Sequence, residues 1–239
     1  MEKFSIFKVF VFLCLAGICF ACEQNSTQIV GKQAELLQEL PPFCKLSVDG
    51  NFAVELQPAN APSAHFIGAQ EAIDSLQIDW RGDSLLIYFP PTYHPLFPVK
   101  VCLDYQSING IVLKGKASLE SPQPLIFRQL AVTLTGWGSL DLVLDALRLS
   151  VEMQGAGDVL LEGRARHFSA EMNGAGSLKA TKLEVNNGRV SVNGIGGAML
   201  SVTDSLQAEV NGIGGILCKQ RPKMLRRKVL GAGKIEIKE

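Results

Sequence analysis

From Phe43 onward, apolar and polar residues alternate in short runs: CKLSVDG, FAVELQ, SLQIDW, SLLIYF and VKVCLDY, each bounded by turn residues. A period of two puts one face of a strand in a core and the other in solvent. No stretch sustains a helical period, so the pattern predicts an all-β chain. FPPTYHPLFP (89–98) carries four prolines. That density excludes a central strand and predicts a surface loop or a rigid crossover. Residues 23–40 are polar, then weakly amphipathic, and read as a tether with one short helix.

A longer regularity overlies the alternation. LKGKA (113–117), LTGWG (134–138), MQGAG (153–157), MNGAG (172–176), VNGIG (192–196), VNGIG (210–214) and VLGAG (229–233) recur every 18 to 21 residues. Their first glycines are Gly115, Gly136, Gly155, Gly174, Gly194, Gly212 and Gly231. Two positions earlier stand Leu113, Leu134, Met153, Met172, Val192, Val210 and Val229, all apolar. Four positions later come Leu119, Leu140, Val159, Leu178, Ala198, Ile216 and Ile235, again all apolar. Three before the glycine, the column is largely polar: Val112, Thr133, Glu152, Glu171, Ser191, Glu209 and Lys228. Alternation within a copy makes strands, and likeness between copies makes stacked columns. Together they predict a single-stranded β-helix-like solenoid with coils of about 19 residues and Gly-x-Gly corner turns. Glycine suits such a corner because it accepts positive φ and leaves space inside the bend. Gln154, Asn173, Asn193 and Asn211, each preceding a first glycine, predict amide hydrogen bonds from coil to coil.

The chain has 239 residues, with 23 basic and 23 acidic side chains. A formal charge of zero gives no sign of a nucleic-acid partner. The beginning changes the picture more. Lys3 and Lys8 precede the apolar run VFVFLCLAGICF, which has the length of a signal-peptide core rather than of a membrane span. Ala21 and Cys22 follow, then a polar stretch. The reading is a lipoprotein-type signal peptide at 1–21, lipidation of Cys22 and a tether over 22–40. The expected location is the cell envelope, as an outer-membrane lipoprotein on the periplasmic or exposed face. Membrane contact would run through the lipid alone. Residues 41–105 form an N-terminal β-strand region, and 106–239 the solenoid repeats. Cys44, Cys102 and Cys218 have no C-x-x-C spacing, which excludes the usual zinc pattern. They read as free thiols, with one disulfide left open.

The repeated NGIGG does not make a nucleotide site. None of the turns supplies a third glycine or a following helix. Calcium-binding repeats need an Asp in each copy, and only Gly157-Asp158 approximates one. Glu152, Glu171 and Glu209 share an outward column singly, one per coil, rather than as the close pair a glycosidase needs. His65, His94 and His167 stand far apart, with no nucleophile motif nearby. No catalytic residue, metal or cofactor is assigned. KQRPKMLRRK (219–228) holds six basic residues and no acid, which makes Arg226, Arg227 and Lys228 candidate ligand-binding residues; the plainer reading is a solvated final coil. Trp137 fills a turn position that is Ala or Ile in most other copies, where an exposed ring could stack on a sugar.

The coils GAGDVLLEG, NGAGSLKATKLEV and NGIGGILCKQRP…LGAGKIEIK, with the opening strands FCKLSVDGNFAVELQ and DSLQIDWRGDSLLIYF, resemble the head GIN domain family of putative autotransporter adhesins over about residues 41–239. The resemblance implies a right-handed β-helix-like fold similar to pectin lyases, without catalytic residues. It also implies a role at the cell surface, commonly in Bacteroidetes-type bacteria. The chain departs from the pattern at Gly115-Lys116-Ala117, and no C-terminal barrel segment is read before KIEIKE. Surface attachment is therefore expected through Cys22. The expected function is a non-enzymatic envelope lipoprotein whose solenoid head binds a glycan or a surface protein, with an oligomer left open. The alternative is a carbohydrate-active enzyme on the same scaffold.

Overall fold

The computed structural model describes residues 32–238. The signal segment, Cys22 and the first part of the tether lie outside the described residues. The chain winds into a β-solenoid whose coils stack through parallel ladders. Pairing of Leu125–Met172 with Ala175–Val192 shows the plan of one coil. Its three walls are 156–160 against 175–179, 162–165 against 182–185, and 167–172 against 187–192. The register slips between Leu160 and Glu162, at the joint of two walls.

Alternation decides which residues fill the interior. Val159, Leu161, Ala165, Phe168, Ala170 and Met172 of one coil are buried above Leu178, Ala180, Val185, Val190 and Val192 of the next. Side-chain volume is balanced along the columns as well as around the coil. Phe168 pairs with Gly188, where even a methyl would press on Val202 at 3.0 Å and Leu206 at 3.4 Å. No polar or charged side chain is buried among the described residues. The interior is therefore purely apolar, and the polar ladder bonds are made within the walls.

The glycine columns answer to the neighbouring coil more than to the corner itself. Gly136, Gly155 and Gly212 have positive φ, but Gly174 and Gly194 do not. What all of them share is that an added Cβ would strike the carbonyl oxygen of the equivalent glycine one coil earlier: Gly174 on Gly155, Gly194 on Gly174, and Gly231 on Gly212. The second column repeats this, with Gly176 on Gly157 and Gly214 on Gly196. The expected corner role thus holds at some copies, and the stacking distance imposes glycine at all of them.

The amide series is shorter than expected. Asn193 donates to the side-chain oxygen of Asn173 at 2.8 Å, which makes one rung between coils. Gln154 turns instead to Glu152 within its own coil.

The ladder begins before the first repeat legible in the sequence. Gly115 is in register with Gly50, so strand Lys45–Gly50 and strand Phe52–Pro58 form a coil of the same stack. On its far side lie Ser84–Tyr88 and Val99–Tyr105, again parallel. In space the order is 84–105, then 45–58, then 110–120: the earlier segment sits between two later ones. The proline-rich loop 89–98 is the crossover between the two walls of the outermost coil. Phe89 stacks on Phe52 with centroids 4.6 Å apart, and the Asn51 amide donates to the Pro95 carbonyl at 3.1 Å.

This end is closed by antiparallel pieces. Gln33–Glu39 pairs with Ser63–Ala69, which pairs with Val99–Tyr105, and Gln77–Arg81 covers Ser84–Tyr88. Residues 33–39, read as tether with a short helix, are thus an edge strand; the helix is Gln70–Ser75. At the opposite end the last described strands are Met224–Gly231 and Lys234–Ile237.

Candidate functional site

Because the interior is closed and apolar, any ligand must meet the outward columns and the corners. The residues that follow the first glycine of each turn share one corner in single file: Lys116, Trp137, Ala156, Ala175, Ile195, Ile213 and Ala232. Trp137, Ile195 and Ile213 are each more than 70% exposed. Around Trp137 a shallow hollow of about 550 Å³ crosses four coils, from residues 116–118 past the small Ala156 to residues 175–177. Trp137 stands within it, and Ser118, Ser139, Asp158 and Ser177 line the adjoining wall. The Ser177 hydroxyl donates to Asp158, which holds that carboxylate against the floor. The arrangement is an apolar ring face beside a short polar rail, the two surfaces a sugar ring presents in reverse.

The basic residues of the last coil do not make one patch. Strand alternation sends Arg226 and Lys228 outward, while Arg227 occupies an inward column left exposed at the end of the stack. Lys228 pairs with Glu209 at 3.0 Å. Arg226 instead lines a groove of about 880 Å³ along another edge of the solenoid, together with Arg148 and Arg189. Sequence reasoning missed those two arginines; their signal was the same 19-residue columns, followed on the outward face.

The acidic column is already engaged. Glu152 accepts from Gln154, Glu171 from Asn173 and Asn193, and Glu209 from Lys228. These carboxylates stand one per coil, as expected, and the Arg148 groove contains none. Lys223 and Asn186 hold Asp204 below the usual carboxylate range through hydrogen bonds. Burial, then the nearby Glu55, raises the Cys102 thiol. Cys44, Cys102 and Cys218 are all free, with Cys218 buried. The histidines occupy three separate places. His65 meets Glu35 at 3.0 Å on the end sheet, His94 lies in the proline-rich loop and His167 lines the groove. Among the described residues, no three His, Cys, Asp or Glu side chains gather as a metal site, and no helix is long and apolar enough to cross a membrane.

The same architecture recurs in solved structures. A putative adhesin from Bacteroides fragilis NCTC 9343 is similar with a TM-score of 0.82 at 22% identity, covering 87% of this chain and 97% of that one. A putative lipid binding protein from Parabacteroides distasonis ATCC 8503 gives 0.72 at 16%, covering 88% and 98%. A putative adhesin from Parabacteroides merdae ATCC 43184 gives 0.63 at 20%, with the same two coverages. At these identities the likeness speaks to the fold. No curated protein sequence matches the chain significantly. A family model does, over residues 42–222, and it takes in the Trp137 corner and both glycine columns up to Gly214. The chain belongs to the family described as "Putative auto-transporter adhesin, head GIN domain".

Proposed function

We propose that this chain is a non-enzymatic adhesion head that recognises a glycan at the Trp137 corner. The observation that carries the reading is an indole 73% exposed beside a hollow with a polar rail. A large apolar ring left in water on a closed solenoid has no role in the core, and single exposed aromatics beside hydrogen-bonding groups suit amphipathic ligands. The enzyme reading gains nothing from the geometry: Glu152, Glu171 and Glu209 stand one per coil, and the contact of Arg164 with Glu184 is an exposed ion pair on another wall. On a glycan array, the mature protein binds a defined subset of neutral oligosaccharides, and Trp137→Ala weakens that binding by about tenfold, as loss of a stacked ring implies. Binding unchanged by the substitution removes the corner from consideration, and an array with no binder removes the glycan.

The second part of the proposal is anchorage in the cell envelope through a lipid on Cys22. The sequence pattern around Ala21-Cys22 supports it. Metabolic labelling with a fatty-acid analogue should mark the wild-type chain and not Cys22→Ala; label retained on the variant excludes this anchor.

A further inference from the structure

The groove that holds Arg226 carries three arginines and no acid. On other faces several outward cations meet acids on a neighbouring coil: Lys182 meets Glu162 at 2.7 Å, Lys223 meets Asp204 at 2.7 Å, and Arg164 meets Glu184 at 3.4 Å. The neighbouring hollow of about 870 Å³ also has an excess of cations, but Asp145 and Glu184 lie among its Arg164, Arg166, Lys182 and Lys219. In the larger groove, Arg148, Arg189 and Arg226 have no carboxylate within ion-pair reach among the described residues, and no acid lines the walls. Acids near the groove are held by other partners: Asp204, next to Ser205, by Lys223, Glu171 by Asn173 and Asn193, and Glu209 by Lys228.

Register fixes the spacing of the three cations. Arg189 pairs with Gln207, which pairs with Arg226, so the two arginines lie two coils apart in one column. Arg148 belongs to the adjacent column, 19 residues before His167, just as Ser150 and Ser169 meet across one coil at 3.0 Å. His167 is in turn level with Asn187 on the next coil. Adjacent coils are separated by the ordinary strand spacing of about 4.8 Å, so successive arginines step along the groove by about 10 Å. Between them Ser150, Ser169, Asn187 and Gln207 offer neutral hydrogen-bonding groups at every coil.

We propose that this groove binds an acidic polysaccharide with a carboxylate on every second sugar, laid parallel to the solenoid axis. An extended disaccharide repeat matches the two-coil step, so each uronate meets one guanidinium and the intervening sugar meets the serines and amides. Arginines spaced along a groove, with serines and amides between them, fit an extended polar chain better than a membrane surface, although Met224 is exposed at one end. The groove and the Trp137 corner share no lining residue. The inference therefore goes beyond the corner site, and either can fail alone.

The test is fluorescence anisotropy of a labelled hyaluronan decasaccharide at low ionic strength. The wild-type protein binds, and R148Q/R189Q/R226Q weakens binding by about tenfold or more while its thermal melt stays at the wild-type temperature. K114Q/K179Q/K219Q removes the same charge outside the groove and changes binding by about twofold at most. Trp137→Ala leaves hyaluronan binding intact. Equal loss in both triple variants reduces the effect to bulk charge and overturns the proposal. So does a wild-type protein that ignores hyaluronan, or one that binds phosphatidylglycerol vesicles through the same arginines instead.

Discussion

Gly174 shows how little latitude single residues have in this stack. Its φ is not in the left-handed region, yet an alanine there would overlap the Gly155 carbonyl of the coil beneath. Gly82 is the opposite case: its φ is +65° and its surroundings are open. Gly82→Ala should therefore cost about 1 kcal/mol of backbone strain. Gly174→Ala should cost about 2–3 kcal/mol, because the backbones of two coils must separate. Urea denaturation distinguishes the two; equal losses would show that cornering rather than stacking selects glycine. The repeat of the glycines was plain in the sequence, but its main cause was not. A lone copy shows a turn residue, and only the register reveals which backbone approaches it.

At the scale of strands, alternation told the sequence reader almost everything about the regular coils. Val159, Leu178, Ala198 and Ile216 are buried where the period put them, and Glu152, Glu171 and Glu209 face outward where it put them. Two things stayed hidden. The coil at 45–58 lacks a Gly-x-Gly, since Phe52 stands where the second glycine would be, so Gly50 did not register as a member of the series. Gln33–Glu39 is a strand because it finds Ser63–Ala69 as a partner, a contact between distant segments that no local pattern encodes. The candidate site divides the same way. Trp137 was legible as an exception within a column, whereas the arginine groove emerges only when columns two residues apart are viewed side by side.

For the molecule as a whole, the downstream coils and the N-terminal ones are built on different plans. From Leu125 to Cys218 each coil touches the one before and the one after, so stability should be roughly a sum of coil and interface contributions. Deleting residues 156–174 joins Gly155 to Ala175 and preserves every column. The shortened chain should keep its β-sheet circular dichroism and a cooperative melt, at a lower Tm. Removing 84–105 should instead leave no cooperative melt, because 45–58 would lose the neighbour that covers it and the antiparallel pieces would lose their base. A cooperative melt in that second variant would refute the distinction. The interleaving of an early segment between two later ones thus bears on evolution and engineering. The reach of this protein, and with it the number of sites its edges can display, is adjustable in steps of one coil on the downstream side. At the N-terminal side it is locked, because 45–58 lies between two later segments and removing either one uncovers it.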